Sequence, residues 1–148
     1  MKRVALLVAL VALIASPALA QGRARGRHYN KADVERIIKR LEKNTDAFKK
    51  AVDRQLDHSA LNGTRREDRI NDRVSDLERA TDRLRRKFDR SDNWIETRSD
   101  VEDVVREARD ISGLFDRVRA LERVRGRWAA VRTDINTLAA VYDIPPVR

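Results

Sequence analysis

Apolar residues recur along the chain at alternating steps of three and four, the spacing of one face of an α-helix. Two such stripes run through Val34, Ile38, Leu41, Thr45, Phe48, Val52 and Leu56, and through Ile70, Val74, Leu77, Thr81, Leu84 and Phe88. Two more run through Val101, Val104, Val105, Ala108, Ile111, Phe115 and Val118, and through Leu121, Val124, Trp128, Val131, Ile135, Leu138 and Tyr142. These stripes predict four amphipathic helices.

Capping signals mark where the first two helices begin. Asn30 is a predicted N-cap, so the first helix is expected over about 31–57. An Asn-Gly turn follows, and then Thr64 and Glu67 have the spacing of a capping box. The second helix is therefore expected over about 65–89.

The boundaries of the last two helices are less sharply marked. Ser99 and Glu102 predict a second capping box at the start of the third helix. The chain must then turn somewhere between Gly113 and Gly126. The fourth helix is expected to end near Asp143, because the prolines that follow cannot continue it.

Four amphipathic helices joined by short polar breaks predict an all-α fold, an antiparallel up-down-up-down four-helix bundle. We expect this domain to span 30–143, with 144–148 as a C-terminal tail. A three-helix arrangement, or a longer helical hairpin that completes its core by oligomerising, stays open; a monomer is favoured.

Trp128 and Tyr142 raise the question of a binding surface, because aromatic residues make up only 5% of the sequence. They lie two heptads apart, on the same stripe as Val131, Ile135 and Leu138. A ligand-binding platform would place aromatic rings off the stripe. We therefore predict that both side chains belong to the core.

Residues 1–20 have the pattern of a secretory signal peptide. Lys2 and Arg3 precede an apolar run over 4–15, and 18–20 form a small-x-small cleavage site. The apolar run is short for a membrane span, so we expect cleavage rather than a retained anchor. The alanine-rich signal looks bacterial, and the predicted location is the periplasm or the extracellular space.

The expected mature chain, 21–148, is basic and free of cysteine. Without Lys2 and Arg3, 31 basic residues face 24 acidic ones, a net charge of +7 with histidine neutral. The lack of cysteine excludes disulfides, thiolate metal sites and thiol catalysis. No second stretch is apolar enough to span a membrane.

Catalytic and cofactor signals are weak. The two histidines are His28, in the basic segment before the first helix, and His58, at the end of that helix. Neither has a glutamate three residues before it, as di-iron bundles require, and the one methionine is the initiator. We expect no metal, no cofactor and no enzymatic activity.

Charge is the signal that remains. A flexible basic arm over 21–29 contains Arg23, Arg25 and Arg27, and the second helix carries Arg83, Arg85, Arg86 and Lys87. Five more arginines fall within 117–127. Such clusters attract anionic partners through salt-sensitive fields. The expected partners are another envelope protein, anionic lipid or polysaccharide. Nucleic acid is not expected, because exposed aromatic residues for base stacking are missing.

Two stretches resemble uncharacterised exported bacterial helical proteins. One is LNGTRREDRINDRVSDLERATDRLR over 61–85. The other comprises Trp128, Val131, Arg132, Asp134, Ile135, Asn136, Leu138, Ala139 and Tyr142. The resemblance implies an exported helical protein and names no activity. Arg132 and Asp134 flank the apolar stripe and are expected to form pairs between helices.

The sequence thus leaves two hypotheses for function. The first is a non-catalytic binding or structural role in the bacterial envelope. The alternative is a holdase-type periplasmic chaperone, since the size, charge and helical content loosely resemble small basic chaperones of the Skp type. Those proteins assemble through strands, and no strand pattern is present here. The LTxxQ motif of Spy-like chaperones is also missing.

Overall fold

Four long helices account for most of residues 29–148, the part of the chain that the computed structural model describes. They are α1 (Lys31–Asp57), α2 (Arg65–Arg90), α3 (Arg98–Phe115) and α4 (Arg125–Val141). Short 3-10 helices over Trp94–Thr97 and Arg119–Val124 lead directly into α3 and α4. The predicted all-α four-helix bundle is confirmed. The predicted signal peptide, and Arg23, Arg25 and Arg27 of the basic arm, lie outside the described residues.

The helices form a closed ring in which α1 packs against α2, α2 against α3, α3 against α4, and α4 against α1. One end of the bundle contains the α1–α2 connection and the 3-10 helix before α4. The opposite end contains the start of α1, the α2–α3 connection and the end of α4. Among the described residues, no helix combines the length and the apolar character that a membrane span requires.

The core is built from the four predicted stripes, and every residue named in them is buried. The stripes meet along the axis of the ring, so each helix directs one face inward and its charged faces outward. Thr45 and Thr81 occupy two of these inward positions, and the Thr81 hydroxyl donates to the Leu77 carbonyl oxygen at 3.0 Å.

Trp128 joins two phenylalanines in an aromatic cluster that connects three helices. Its ring lies 5.5 Å from Phe48 of α1 and 5.9 Å from Phe115 of α3, measured between centroids. The planes of Trp128 and Phe115 are only 12° apart. Because Trp128 is 3% exposed, its predicted place in the core is confirmed.

The predicted caps of the first two helices are present. The Asn30 side chain accepts from the Asp33 N–H at 2.9 Å, and the Asp33 carboxylate accepts from the Asn30 N–H at 3.2 Å. The Thr64 hydroxyl accepts from the Glu67 N–H at 3.3 Å. The returning bond differs from a regular capping box, because the Glu67 carboxylate accepts from the Gly63 N–H instead, at 2.6 Å.

The capping box predicted for Ser99 and Glu102 is wrong. Helix α3 begins at Arg98, so Ser99 already lies within its first turn. The preceding 3-10 helix runs into α3 without a break, and the Arg98 N–H donates to the Ile95 carbonyl oxygen. Backbone groups of that 3-10 helix thus satisfy donors that a capping side chain would otherwise serve.

The turn between Gly113 and Gly126 is a structured connection. Helix α3 continues past Gly113 to Phe115, and the 3-10 helix then leads into α4. Val118, Leu121 and Val124 are buried, so the connection is held to the core at three points.

The C-terminal residues pack back onto the bundle. Asp143 has a φ of +55°, and the Ile144 N–H donates to the Ala139 carbonyl oxygen at 2.9 Å, which closes α4 with a Schellman-type cap. Ile144 and Val147 are buried. The Asn136 side chain accepts from the Val147 N–H at 2.7 Å and donates to its carbonyl oxygen at 3.0 Å. The segment predicted as a separate tail therefore contributes to the core.

Replacing Trp128 with alanine is expected to lower the free energy of unfolding by about 3–5 kcal/mol, because it leaves a large cavity between three helices. Chemical denaturation followed by circular dichroism measures this. Ile95→Ala is the control, since Ile95 is 60% exposed and its truncation should change stability by less than about 0.5 kcal/mol. Equal effects of the two substitutions would contradict this account of the core.

Candidate anion-binding surface

Arg85, one of the predicted partner-binding residues, is enclosed by carboxylates. Its guanidinium lies 3.8 Å from Glu35 and 3.8 Å from Glu42, both on α1, and 2.8 Å from Asp89 on its own helix. Only 17% of the Arg85 side chain is exposed. The ion pairs of Arg85 therefore join α1 to α2, and little of its guanidinium group is accessible to a partner.

Of the other three residues in this cluster, one forms an ion pair with another helix and two are exposed. The Lys87 ammonium lies 2.7 Å from the Asp100 carboxylate, which links α2 to α3. Arg83 and Arg86 are exposed. The structure thus leaves two of the four predicted contact residues on α2 available to a partner.

The larger basic surface lies at the connection between α3 and α4. Its five exposed arginines, here called the arginine end, are Arg117, Arg119, Arg123, Arg125 and Arg127. They alternate along the chain with the buried residues that hold this connection to the core. The alternation directs the guanidinium groups outward from a backbone that is fixed in place.

One member of the arginine end has an ion-pair partner. The Arg125 guanidinium donates two hydrogen bonds to the Glu122 carboxylate, at 2.6 and 2.9 Å, and lies 5.5 Å from the centroid of the Phe115 ring. These hydrogen bonds lower the pKa of Glu122 and raise the pKa of Arg125. The pair leaves Glu122 with little free negative charge to offset its neighbours.

The other four members make no ion pair within the described part of the chain: Arg117, Arg119, Arg123 and Arg127. Helix α2 adds to the positive potential here, since the Arg66 guanidinium donates to the Arg117 carbonyl oxygen at 2.9 Å. The arrangement can hold anions by hydrogen bonding and charge.

Asp134, predicted to pair with another helix, is buried between α4 and α1. Its carboxylate accepts from the Arg40 guanidinium at 2.6 Å and from the Asn44 amide at 2.6 Å. Arg132 is half-buried, and no ion pair of its side chain is present within residues 29–148. Asp134 therefore has a structural role in joining helices.

Tyr142 is held at the opposite end of the bundle from the arginine end. Its hydroxyl donates to the Trp94 carbonyl oxygen at 3.1 Å and lies 2.7 Å from the Thr97 hydroxyl. Its ring meets Trp94 edge to face at 5.3 Å. Burial raises the pKa of Tyr142 above its ordinary value of 10.0, and the prediction that this residue is core is confirmed.

Titratable groups elsewhere are dispersed. Across residues 29–148, no three acidic or histidine side chains lie close enough together to hold a metal ion. The His58 ring Nδ1 lies 2.7 Å from the Arg54 carbonyl oxygen, at the end of α1. Partial burial raises the pKa of Asp53, whose neighbours include Lys49.

The sequence predicts the cluster on α2, ahead of the arginine end, as the residues that contact a partner. The spacing of two glutamates on α1 indicates the reverse order. Glu35 and Glu42 are spaced by one heptad, so they lie on the same flank of α1. A flank of carboxylates beside α2 predicts that an arginine such as Arg85 is neutralised.

Replacing Arg40 with alanine is expected to lower the free energy of unfolding by about 1–3 kcal/mol, because the buried Asp134 carboxylate loses a charged donor. Arg36→Ala is the matched control, since Arg36 pairs with Asp33 at the surface and should contribute less than about 0.5 kcal/mol. Urea denaturation measures both. A larger effect of the control would contradict the structural role of Asp134.

Stability is expected to fall as the pH rises above 10, because the folded state disfavours ionised Tyr142. Its folded pKa lies above the unfolded value, so its contribution is complete below pH 10.0 and is lost as the pH rises through the folded pKa. Denaturation of the wild type and Tyr142→Phe across this range tests the assignment. An identical decline in both proteins would show that another group is responsible.

Searches against family models, curated proteins and solved structures gave no significant match to this chain. The resemblance to exported bacterial helical proteins therefore stays a prediction.

Proposed function

We propose that this protein is a non-catalytic binding or structural protein of the bacterial envelope that engages an anionic partner through its basic surface. The observation that carries the proposal is the arginine end. Four exposed guanidinium groups there make no ion pair within the described residues, while Arg85 and Lys87 on α2 are paired.

The backbone of the arginine end is anchored to the core, and this suits the surface to binding. A segment that must order its backbone on binding loses affinity, and a backbone that is already ordered avoids that cost. Val118, Leu121 and Val124 fix the backbone that carries the arginines. Several guanidinium donors are therefore carried by one ordered segment at one end of the bundle.

The predicted signal peptide over 1–20 supplies the proposed location. An exported protein in a bacterial envelope meets anionic phospholipids, anionic polysaccharides and acidic proteins. The positive charge of the chain favours association with each of these through long-range attraction that salt screens.

The small amount of apolar surface exposed in the described residues favours anion binding over a holdase function. A holdase needs apolar area to retain unfolded clients. Within the described residues, Ile95 is the one large apolar side chain that is strongly exposed, at 60%. Binding through charge therefore accounts for more of the observed surface than client holding does.

The chain from residue 21 onward, which retains the whole described bundle, is expected to bind vesicles containing phosphatidylglycerol or a soluble polyanion such as heparin. Affinity should fall steeply between about 50 and 300 mM salt, because the attraction is electrostatic. Co-sedimentation and affinity chromatography measure the two cases. Absence of binding to either probe at low salt, or binding that salt does not weaken, would contradict the proposal.

A further inference from the structure

We infer that the arginine end docks against the surface of an anionic phospholipid bilayer, with the helices of the bundle directed away from it. This inference rests on the proposed function and narrows it, because it names both the contacting end and the partner. Between residues 117 and 127 every basic residue is arginine, and Glu122, already paired with Arg125, is the one acidic residue.

Arginine matches the phosphate of a lipid headgroup. The planar guanidinium donates two parallel hydrogen bonds to a phosphate group, whereas an ammonium acts as a single point of charge. Several guanidinium groups at one end can therefore engage neighbouring headgroups together. Each exposed basic residue near an anionic membrane strengthens attachment by roughly fivefold.

The burial of the apolar side chains at this end favours a bilayer over an acidic protein as the partner. Stable protein interfaces are centred on apolar or aromatic anchors that fill pockets on the partner. At the arginine end the apolar side chains Val118, Leu121 and Val124 point into the core. The exposed Ile95 belongs to the α2–α3 connection, at the opposite end. A surface that offers charge without apolar anchors is suited to headgroups.

The first described residue, Tyr29, lies at the opposite end of the bundle from the arginine end. Helix α1 has 27 residues, so it spans about 40 Å between its ends. Tyr29 lies next to the start of α1, whereas the 3-10 helix over Arg119–Val124 packs against α1 toward its other end. Deleting residues 21–28 should therefore leave vesicle affinity within about threefold of its original value.

Two triple variants with the same change in charge test the inference. Arg119→Gln, Arg123→Gln and Arg127→Gln alter the arginine end, and the control changes Arg83, Arg86 and Arg90 of α2 to glutamine. All six side chains are exposed and make no hydrogen bond or ion pair within residues 29–148. Both variants should therefore fold, as circular dichroism would verify.

The variant of the arginine end is expected to lose roughly a hundredfold in affinity for phosphatidylglycerol vesicles, and the control less than tenfold. Equal losses would overturn the inference while leaving the proposed function intact, because binding would then follow net charge. Binding to heparin without binding to vesicles would overturn the bilayer as partner and also leave the proposed function standing. Failure to bind either probe would overturn both.

Labels can report the orientation directly, because the chain contains no native cysteine. A Cβ at Gly126 would meet no neighbouring atom, so Gly126→Cys places a fluorophore beside the arginine end. Asp92→Cys places the same fluorophore at the opposite end. Lipids with a quencher on the headgroup should quench the label at 126 more strongly than the label at 92. Equal quenching, or the reverse order, would overturn the proposed orientation.

Discussion

The contact among Phe48, Phe115 and Trp128 is the interaction on which the arrangement of the arginine end depends. It joins α1, the end of α3 and the start of α4 within a single group of rings. The chain between Phe115 and Trp128 must therefore cross a short distance on the bundle surface. It does so as a 3-10 helix whose apolar side chains are buried. Because these side chains point into the core, the arginines between them point toward solvent.

Away from the arginine end, several basic side chains form ion pairs that connect neighbouring helices. Arg85 joins α2 to α1, Lys87 joins α2 to α3, and Arg40 joins α1 to α4. These charges help to specify which helices are neighbours, although exposed pairs contribute little stability individually. Net charge alone therefore does not show which cations are paired in this protein. Arg85, Lys87 and Arg40 lie between helices and are paired, whereas four of the five arginines of the arginine end make no ion pair within the described residues.

Local patterns in the sequence were sufficient to predict the helices and the core. The heptad stripes and the caps at Asn30 and Thr64 depend on neighbours within one or two turns. The stripes and both caps are confirmed, and in the box predicted at Thr64 the returning bond of Glu67 goes to Gly63 instead. One failure is local, because the apolar pattern does not reveal the 3-10 helix over Trp94–Thr97, and the others depend on how separate segments of the chain pack together. Ser99 does not cap a helix because the preceding 3-10 helix already serves that purpose, and Arg85 is neutralised by carboxylates of another helix. The docking of Val147 on Asn136 likewise has no local signal, since it depends on how α4 and the last residues meet.

We propose that the arginine end, and not the net charge of the whole surface, engages the anionic partner. The most direct measurement is an NMR titration of the arginine Nε–Hε signals of the folded chain with nanodiscs that contain phosphatidylglycerol. The account predicts that the signals of Arg119, Arg123 and Arg127 broaden or shift first, at lipid concentrations that leave Arg83 and Arg86 unchanged. Changes of similar size across all exposed arginines, or changes led by α2, would contradict it.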